Sequence, residues 1–594
     1  MKNAAAAARP ASPTTLTNPP PLSGVVPVRK TRGADVVVAA LVRAGVRTVF
    51  GVPGGPIAPV FDALLDEPSI RLVTTRIEST AVFAAAGYAR VSGEPVVCLF
   101  TSGPGVLNCL TGLASAHREG LPVLVLVGEA MRSIQGRNAL QDGSAHGLDI
   151  VGMTRHLAKL VAEVRDWSSI PAMIEHARRT MLSGARGPAL LTLPMDVLLE
   201  QGKPPSLDSA APMPVSRCDG EAFANAARML SASTRGLIVA GSGARWGDAP
   251  KKLLELATRL GMPVVTTPKA KGIIPDSSPL ALGGIGVGGH PSAYEYIAGG
   301  LDTVLVVGSS LGELATDGWR LPLHPSDAFI QIDIDPSRIG HAYPVTAGLV
   351  ADASSALDAL IEHSEPVERK AALPPRRYHE MTTPARAGRV HPREAIERVQ
   401  QLVDGSVVYC SDIGDHLTFA LHYLRIGAED DFIVQAGLGS MASGIGAAIG
   451  AQLAAPERQI VCICGDGGAM MALADFAVAA TESLPILFVV FNNARWGMVE
   501  SGCAAIFGRE HGYPIEGERL FATLTGLGVD VIDVRAPADF EKARPAIARR
   551  HGPIVLNVHV DPSLKIPNPR NRTFGGANGA SAAGENGKSE VSSK

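Results

Sequence analysis

Short apolar runs recur along the chain, separated by helix-length stretches in which apolar positions return on a longer period. Val96-Val97-Cys98-Leu99-Phe100, Val123-Leu124-Val125-Leu126-Val127 and Ala189-Leu190-Leu191-Thr192-Leu193 begin the series. Leu237–Ala240, Val304–Val307, Ile330–Ile334, Ile460–Cys464 and Ile486–Phe491 continue it. Runs this continuous predict strands covered on both faces, as parallel sheets between helices require. The pattern predicts an α/β protein of doubly wound parallel sheets. It breaks twice, at Gln201–Pro214 and from about Ser364 to Pro392, where turn-formers or charges replace any periodic apolar face. Both stretches read as linkers. They divide the chain into three α/β domains at 31–200, 216–363 and 390–565. Residues 1–30 and 566–594 carry too little apolar surface to offset their ordering entropy and are expected to be disordered tails. A rival reading has the start of the second tail, near Pro567, fold over a neighbouring site.

Composition narrows the class. The chain has 594 residues, 54 Lys and Arg against 57 Asp and Glu, and 46% hydrophobic residues. That is enough for packed cores, and the near-neutral balance offers no field for nucleic acid or an anionic membrane. The seven cysteines are scattered and odd in number. They point to a reducing compartment rather than a disulfide framework, and a cytoplasmic protein is expected. No apolar run approaches the roughly 18 residues of a membrane span.

Chemistry concentrates near two strand ends. Gly465-Asp466-Gly467 follows one predicted strand, Asn492-Asn493 follows another, and 24 residues lie between Gly467 and Asn492. That is room for one crossover helix, so both motifs fall at the C-terminal edge of adjacent parallel strands, where open α/β sheets bind ligands. Glycines admit a diphosphate to the backbone. Asp and Asn oxygens are hard ligands of the kind Mg²⁺ takes alongside phosphate and water. The bland alternative is a pair of ordinary strand-end turns.

Gly-Asp-Gly, this spacing and Asn-Asn together resemble the signature of thiamine-diphosphate (ThDP) enzymes. The run Gly437–Gln452 (GLGSMASGIGAAIGAQ) is similar to the acetohydroxyacid (acetolactate) synthase branch. So are Phe50–Gly55, Arg76-Ile-Glu78 with Gly87–Arg90, Thr101–Gly105 with Asn108, Gly187-Pro188 through Pro194–Val197, and Ile332–Pro336. The similarity runs from about Thr31 to Pro567. It implies a ThDP pyrimidine-binding domain, a central domain and a ThDP diphosphate-binding domain. Glu78 would be the catalytic acid that bonds the aminopyrimidine N1′ and promotes loss of the C2 proton. By itself an acid at a helix start is as well explained by the helix dipole. Met441 would prop the cofactor in its bent shape. Gly414, Asp415, His416, Gly439, Gly465, Asp466, Gly467, Gly468 and Asn493 would contact it, with Asp466, Asn493 and the Arg495 carbonyl on Mg²⁺. The resemblance further implies a homodimer or homotetramer with sites between subunits.

The chain also departs from that branch. An Arg-Phe-Asp-Asp-Arg-like stretch is replaced by Ser310-Leu-Gly-Glu-Leu314. Two arginines expected on flavin adenine dinucleotide (FAD) and on the second keto-acid carboxylate are thereby missing. Gly502 stands where a tryptophan selects 2-oxobutyrate, Trp496 replaces a glutamine, and Thr101 stands where some ThDP decarboxylases carry histidine. FAD stays open and doubtful. Gly241-Ser-Gly243 and Gly283–Gly289 could cradle a nucleotide without being a full fingerprint. His117 and His146, near the first domain's strand ends, are proton-shuttle candidates whose plainer role is structural. The resulting reading is a ThDP- and Mg²⁺-dependent enzyme that decarboxylates a 2-oxo acid, pyruvate first, and joins the fragment to a second carbonyl. Its rivals are a decarboxylase or aldehyde lyase on the same fold and a non-catalytic assembly partner.

Overall fold

A computed structural model describes residues 31–203, 219–367, 373–509 and 512–564. The tails and most of the first proposed linker lie outside the described residues. The chain forms three six-stranded sheets, all parallel. The first comprises β1 (Thr48–Gly51), β2 (Arg71–Thr74), β3 (Val96–Thr101), β4 (Val123–Glu129), β5 (Leu160–Glu163) and β6 (Ala189–Pro194), in the order β2-β1-β3-β4-β6-β5. The second comprises β7 (Gly236–Ala240), β8 (Val264–Thr266), β9 (Ala281–Gly284), β10 (Thr303–Val307), β11 (Ala328–Asp333) and β12 (Ala347–Val350), ordered β12-β11-β10-β7-β8-β9. The third comprises β13 (Val407–Ser411), β14 (Asp431–Val434), β15 (Gln459–Gly465), β16 (Ile486–Asn492), β17 (Asp530–Val534) and β18 (Ile554–His559), ordered β14-β13-β15-β16-β18-β17.

The apolar runs are continuous because alternate side chains enter different cores. In β15 and β16, Cys462, Cys464, Phe488 and Val490 join one buried cluster, while Val461, Ile463, Leu487 and Val489 join another. The winding reverses between β1 and β3, between β7 and β10, and between β13 and β15, and in the first and third sheets the last strand, β6 or β18, also inserts inside the strand before it. Those reversals open crevices at the strand C-termini.

The first and third domains meet along two helices, Glu78–Ser92 and Ser443–Ala454. Their small residues bring backbone onto backbone. A Cβ on Gly87 would lie 2.2 Å from the Ala447 carbonyl oxygen, and one on Gly450 1.7 Å from that of Ala84. The Glu78 helix is accordingly buried all round from Thr80 to Ala89. Thr80 donates to the buried Asp475 carboxylate at 2.6 Å, tying this helix to the crossover helix Leu473–Thr481.

The second proposed linker is more than a solvated connection. Its described part clasps the second and third domains: Arg376 pairs with Asp276 at 2.5 Å, and the His379 N–H donates to His422 at 2.8 Å. Val390 then bridges to Val560 beside the third sheet.

Candidate active site

The winding reversal of the third sheet places the predicted motifs together. After β15 the chain enters a short helix, Asp466–Met471, before the crossover helix. After β16 it turns through Asn493–Trp496 into the helix Gly497–Phe507. After β13, Gly414 precedes the helix Asp415–Tyr423. These edges and the Gly437–Ala442 loop enclose a cavity of about 210 Å³. Gly414, Asp415, His416, Gly439, Met441, Gly465, Asp466, Gly467, Gly468, Asn493 and Arg495 all line it.

Asp466 is buried, and burial pushes its carboxyl up to about 6. Its oxygens accept from Gly467 N–H at 3.0 Å and Ala494 N–H at 2.8 Å. Asn493 accepts from Arg495 N–H at 3.1 Å, while the Arg495 side chain reaches the buried Glu500 at 3.1 Å. Asn492 does not line the cavity. Its amide donates to Asn557 at 2.9 Å, and Asn557 donates to Asp533 at 2.7 Å, bracing the turn from the next strands. The Asp415 carboxylate lies against the start of the following helix, where a Cβ on Gly497 would be 2.5 Å from its Oδ2.

His416 is wedged between two backbones: a Cβ on Gly414 would stand 2.6 Å from its ring and one on Gly465 3.1 Å. Burial holds its pKa down to about 4, so the ring is neutral. The residue lines the cavity, while its Nε2 is buried with no hydrogen-bond partner among the described residues. Gly414, Gly439, Gly465, Gly467 and Gly468 leave backbone open to the cavity, which fits an oxygen-rich ligand such as a diphosphate. No cluster of three or more His, Cys, Asp or Glu able to hold a metal occurs among the described residues. Asp466, Asn493 and one carbonyl make a sparse oxygen set, which suits Mg²⁺ because phosphate and water complete its shell.

Glu78 lies elsewhere. It begins its helix, is buried, and accepts from the Asn108 side chain at 3.1 Å. A Cβ on Gly105 would sit 3.6 Å from its Oε1. Thr101 donates to Gln141 at 2.9 Å, so Gln141, which the sequence did not single out, roofs this end of the first sheet. Ile77 and Leu107 remain exposed beside Glu78. No residue of the first domain lines the 210 Å³ cavity. His146 is exposed in the loop after β4. His117 lies near the N-terminal strand ends of the first sheet. It occupies the last turn of the helix Pro104–Glu119, which leads back to that edge.

A second cavity, of about 460 Å³, joins the first at Ile413, Gly439 and Met498. Ser242, Ser309, Ser310, Leu314, Lys269 and Arg118 are among its walls. The glycine runs of the central domain have backbone N–H groups already engaged within the protein. Gly241 N–H donates to Val307 and Gly243 N–H to Gly308, each at 2.9 Å. A Cβ on Gly286 would strike the Leu314 carbonyl oxygen at 2.0 Å, and one on Gly288 the Leu421 side chain at 2.5 Å. These glycines allow protein segments to approach one another. At Gly502, by contrast, a Cβ would meet nothing within 4 Å.

Comparison with known proteins agrees with this architecture. Three thiamine pyrophosphate enzyme families match: the N-terminal TPP binding domain over residues 31–150, the central domain over 223–360 and the C-terminal TPP binding domain over 412–558. The class is thus that of ThDP-dependent enzymes. The acetolactate synthase isozyme 1 large subunit of Escherichia coli (strain K12) is 30% identical over 564 residues, covering 92% of this chain and 97% of its own length. The acetolactate synthase large subunit IlvB1 of Mycobacterium tuberculosis is 32% identical, over 80% of this chain and 78% of that protein. A putative thiamine pyrophosphate-containing protein, YdaP, of Bacillus subtilis is 32% identical over 77% and 79%. The chain belongs to the acetolactate-synthase-like ThDP-dependent enzymes.

Proposed function

We propose that this enzyme decarboxylates a 2-oxo acid, with pyruvate as the first substrate, and joins the two-carbon fragment to a second carbonyl. The observation that carries this reading is the gathering of eleven motif residues around one cavity, with Glu78 buried and presented apart from it. When bound, ThDP supplies the electron sink that lets the 2-oxo acid lose CO₂. Gly414, Gly439, Gly465, Gly467 and Gly468 would admit the diphosphate, with His416 and Asp415 on the wall beside it. Asp466, Asn493 and the Arg495 carbonyl hold Mg²⁺. Met441, on the cavity wall, would be the apolar prop against which the cofactor is held. Glu78, held by Asn108, would face N1′ of the bound cofactor as its proton-exchanging acid.

Glu78 and the diphosphate cavity of one chain are separate, which supports a homodimer, or a homotetramer built from such pairs, whose sites combine both. The domains taken for this reading are 31–200, 216–363 and 390–565. Buried free thiols at Cys98, Cys109, Cys410, Cys462 and Cys464 support a cytoplasmic setting. Among the described residues no helix is long and apolar enough to cross a membrane. FAD does not fit. The N–H groups of Gly241 and Gly243 are engaged within the protein, and Ser310 and Leu314 replace the expected arginines.

The same replacements bear on the acceptor. Without those arginines and with open space at Gly502, little preference for 2-oxobutyrate over pyruvate is expected. The test is mass spectrometry of products from a 2-oxo acid panel with purified protein, ThDP and Mg²⁺, including pyruvate and 2-oxobutyrate at equal concentration. Acetolactate supports the reading. Acetaldehyde alone would favour the decarboxylase alternative, and a strong excess of acetohydroxybutyrate would overturn the specificity argument.

A further inference from the structure

The cavity wall bearing Met441 owes its shape to a residue that does not itself line the cavity. Asp412 directly follows β13 and is fully buried. Its N–H donates to Ile463 at 2.9 Å, fixing its backbone to β15. Its Oδ2 accepts from Ala442 N–H at 2.9 Å and its Oδ1 from Gly444 N–H at 3.1 Å. Ala442 has φ +69°, a left-handed conformation that L side chains rarely adopt and that persists only where surroundings impose it. Two neighbouring glycines make room for the arrangement. A Cβ on Gly468 would lie 2.3 Å from Asp412 Oδ2, and one on Gly444 2.5 Å from Asp412 N. The carboxylate also faces the first turn of the helix Ser443–Ala454, where negative charge is favoured.

We propose that Asp412 is a positioning residue: by holding the N–H groups of Ala442 and Gly444, it sets Met441 and thereby the shape in which the cofactor is held. The proposal rests on the reading of Met441 as the cofactor's prop. A carboxylate can accept from both N–H groups at once. The amide of Asp412→Asn must turn its own NH₂ toward one of them, so the strained turn loses one hold while the packing volume is kept.

Two measurements test this. In the cofactor-free chain, amide hydrogen exchange across residues 438–446 is expected to be at least ~10-fold faster in Asp412→Asn than in wild type, as loss of a charge-assisted bond implies. In the ThDP-loaded protein, the C2 proton is expected to exchange at least ~10-fold more slowly, with the ThDP dissociation constant changed much less. Met441→Ala should slow C2 exchange similarly, and the double variant should be no slower than Met441→Ala alone. Unchanged amide exchange in Asp412→Asn, or losses that add in full in the double variant, would overturn the proposal. Normal C2 exchange in Met441→Ala would overturn the reading of Met441 and the link to cofactor shape with it, even if the amides in Asp412→Asn exchange faster. Should Asp412→Asn not fold, Asp412→Glu takes its place under the same criteria.

Discussion

Gly467 shows how narrowly the site is drawn at the level of single atoms. A methyl group there would lie 2.6 Å from the Trp496 ring, inside van der Waals contact. Gly467→Ala should therefore displace the ring into the cavity and weaken ThDP binding by roughly 10-fold, the cost of a modest overpacking. Trp496→Leu should relieve that loss, and calorimetric titration of the single and double variants checks both. Glu78→Gln should still bind ThDP while exchanging its C2 proton at least ~10²-fold more slowly, the usual contribution of a positioned acid or base. Wild-type exchange in that variant would place proton transfer elsewhere. Asp466 and Asn493 were legible in the sequence because their spacing follows from strand, crossover and strand. Asp412 and Asn557 were not. Their hydrogen-bond partners lie 30 and 65 residues away, and only the folded sheet brings them together.

At the scale of elements, the apolar runs announced the strands faithfully, because two-sided burial leaves a continuous signal. The clasp between the second and third domains left none, because its contacts are made by polar and aromatic side chains. His290 accepts from Gly284 N–H at 2.9 Å and stacks on His422 with ring centroids 4.7 Å apart. His422 accepts from His379 N–H at 2.8 Å and lies 3.1 Å from the Gly288 carbonyl oxygen, to which its other nitrogen donates. Both rings are thus neutral. Burial lowers His422 from 6.5 to about 4, and burial with Arg376 and Lys271 nearby holds His290 well below its usual value. A base with a depressed native pKa stabilises the fold above its unfolded pKa and loses that contribution as pH falls. Stability from the clasp should therefore decline from about pH 6.5 toward pH 4, by about 3 kcal/mol for His422 over the full window. Asp412, Asp466 and Asp475, raised by burial to about 6, 6 and 7, act in the opposite sense. The thermal-unfolding midpoint should thus be compared between wild type and His422→Gln at each pH. The gap between them should narrow as pH falls, and a constant gap would show that the clasp does not titrate.

At the scale of the whole molecule, Glu78 is buried in the first domain while the cavity assigned to the diphosphate is lined by third-domain residues alone, so the proposed function divides its site between them. Exposed Ile77 and Leu107 flank Glu78, and exposed Met471, Val499 and Phe507 belong to the helices that follow the Gly-Asp-Gly and Asn-Asn motifs. Apolar surface beside both halves is what a shared interface would cover. The resemblance implied sites shared between subunits, whereas the linear pattern by itself does not say which edges converge within one chain. The separation makes a sharp prediction. Glu78→Gln and Asp466→Ala chains should each be nearly inactive as homodimers, because every site would lack either its proton-transfer group or its metal ligand. Mixed and allowed to exchange subunits, they should form hybrids in which one site carries both damaged halves and the other is intact. Random pairing makes half of the dimers hybrids, so recovery should approach about one quarter of wild-type activity. Sites formed within single chains would give no recovery at any mixing ratio. Native mass spectrometry of the mixture, run beside the activity assay, verifies that the hybrids have formed, so inactive hybrids would refute the shared-site arrangement itself.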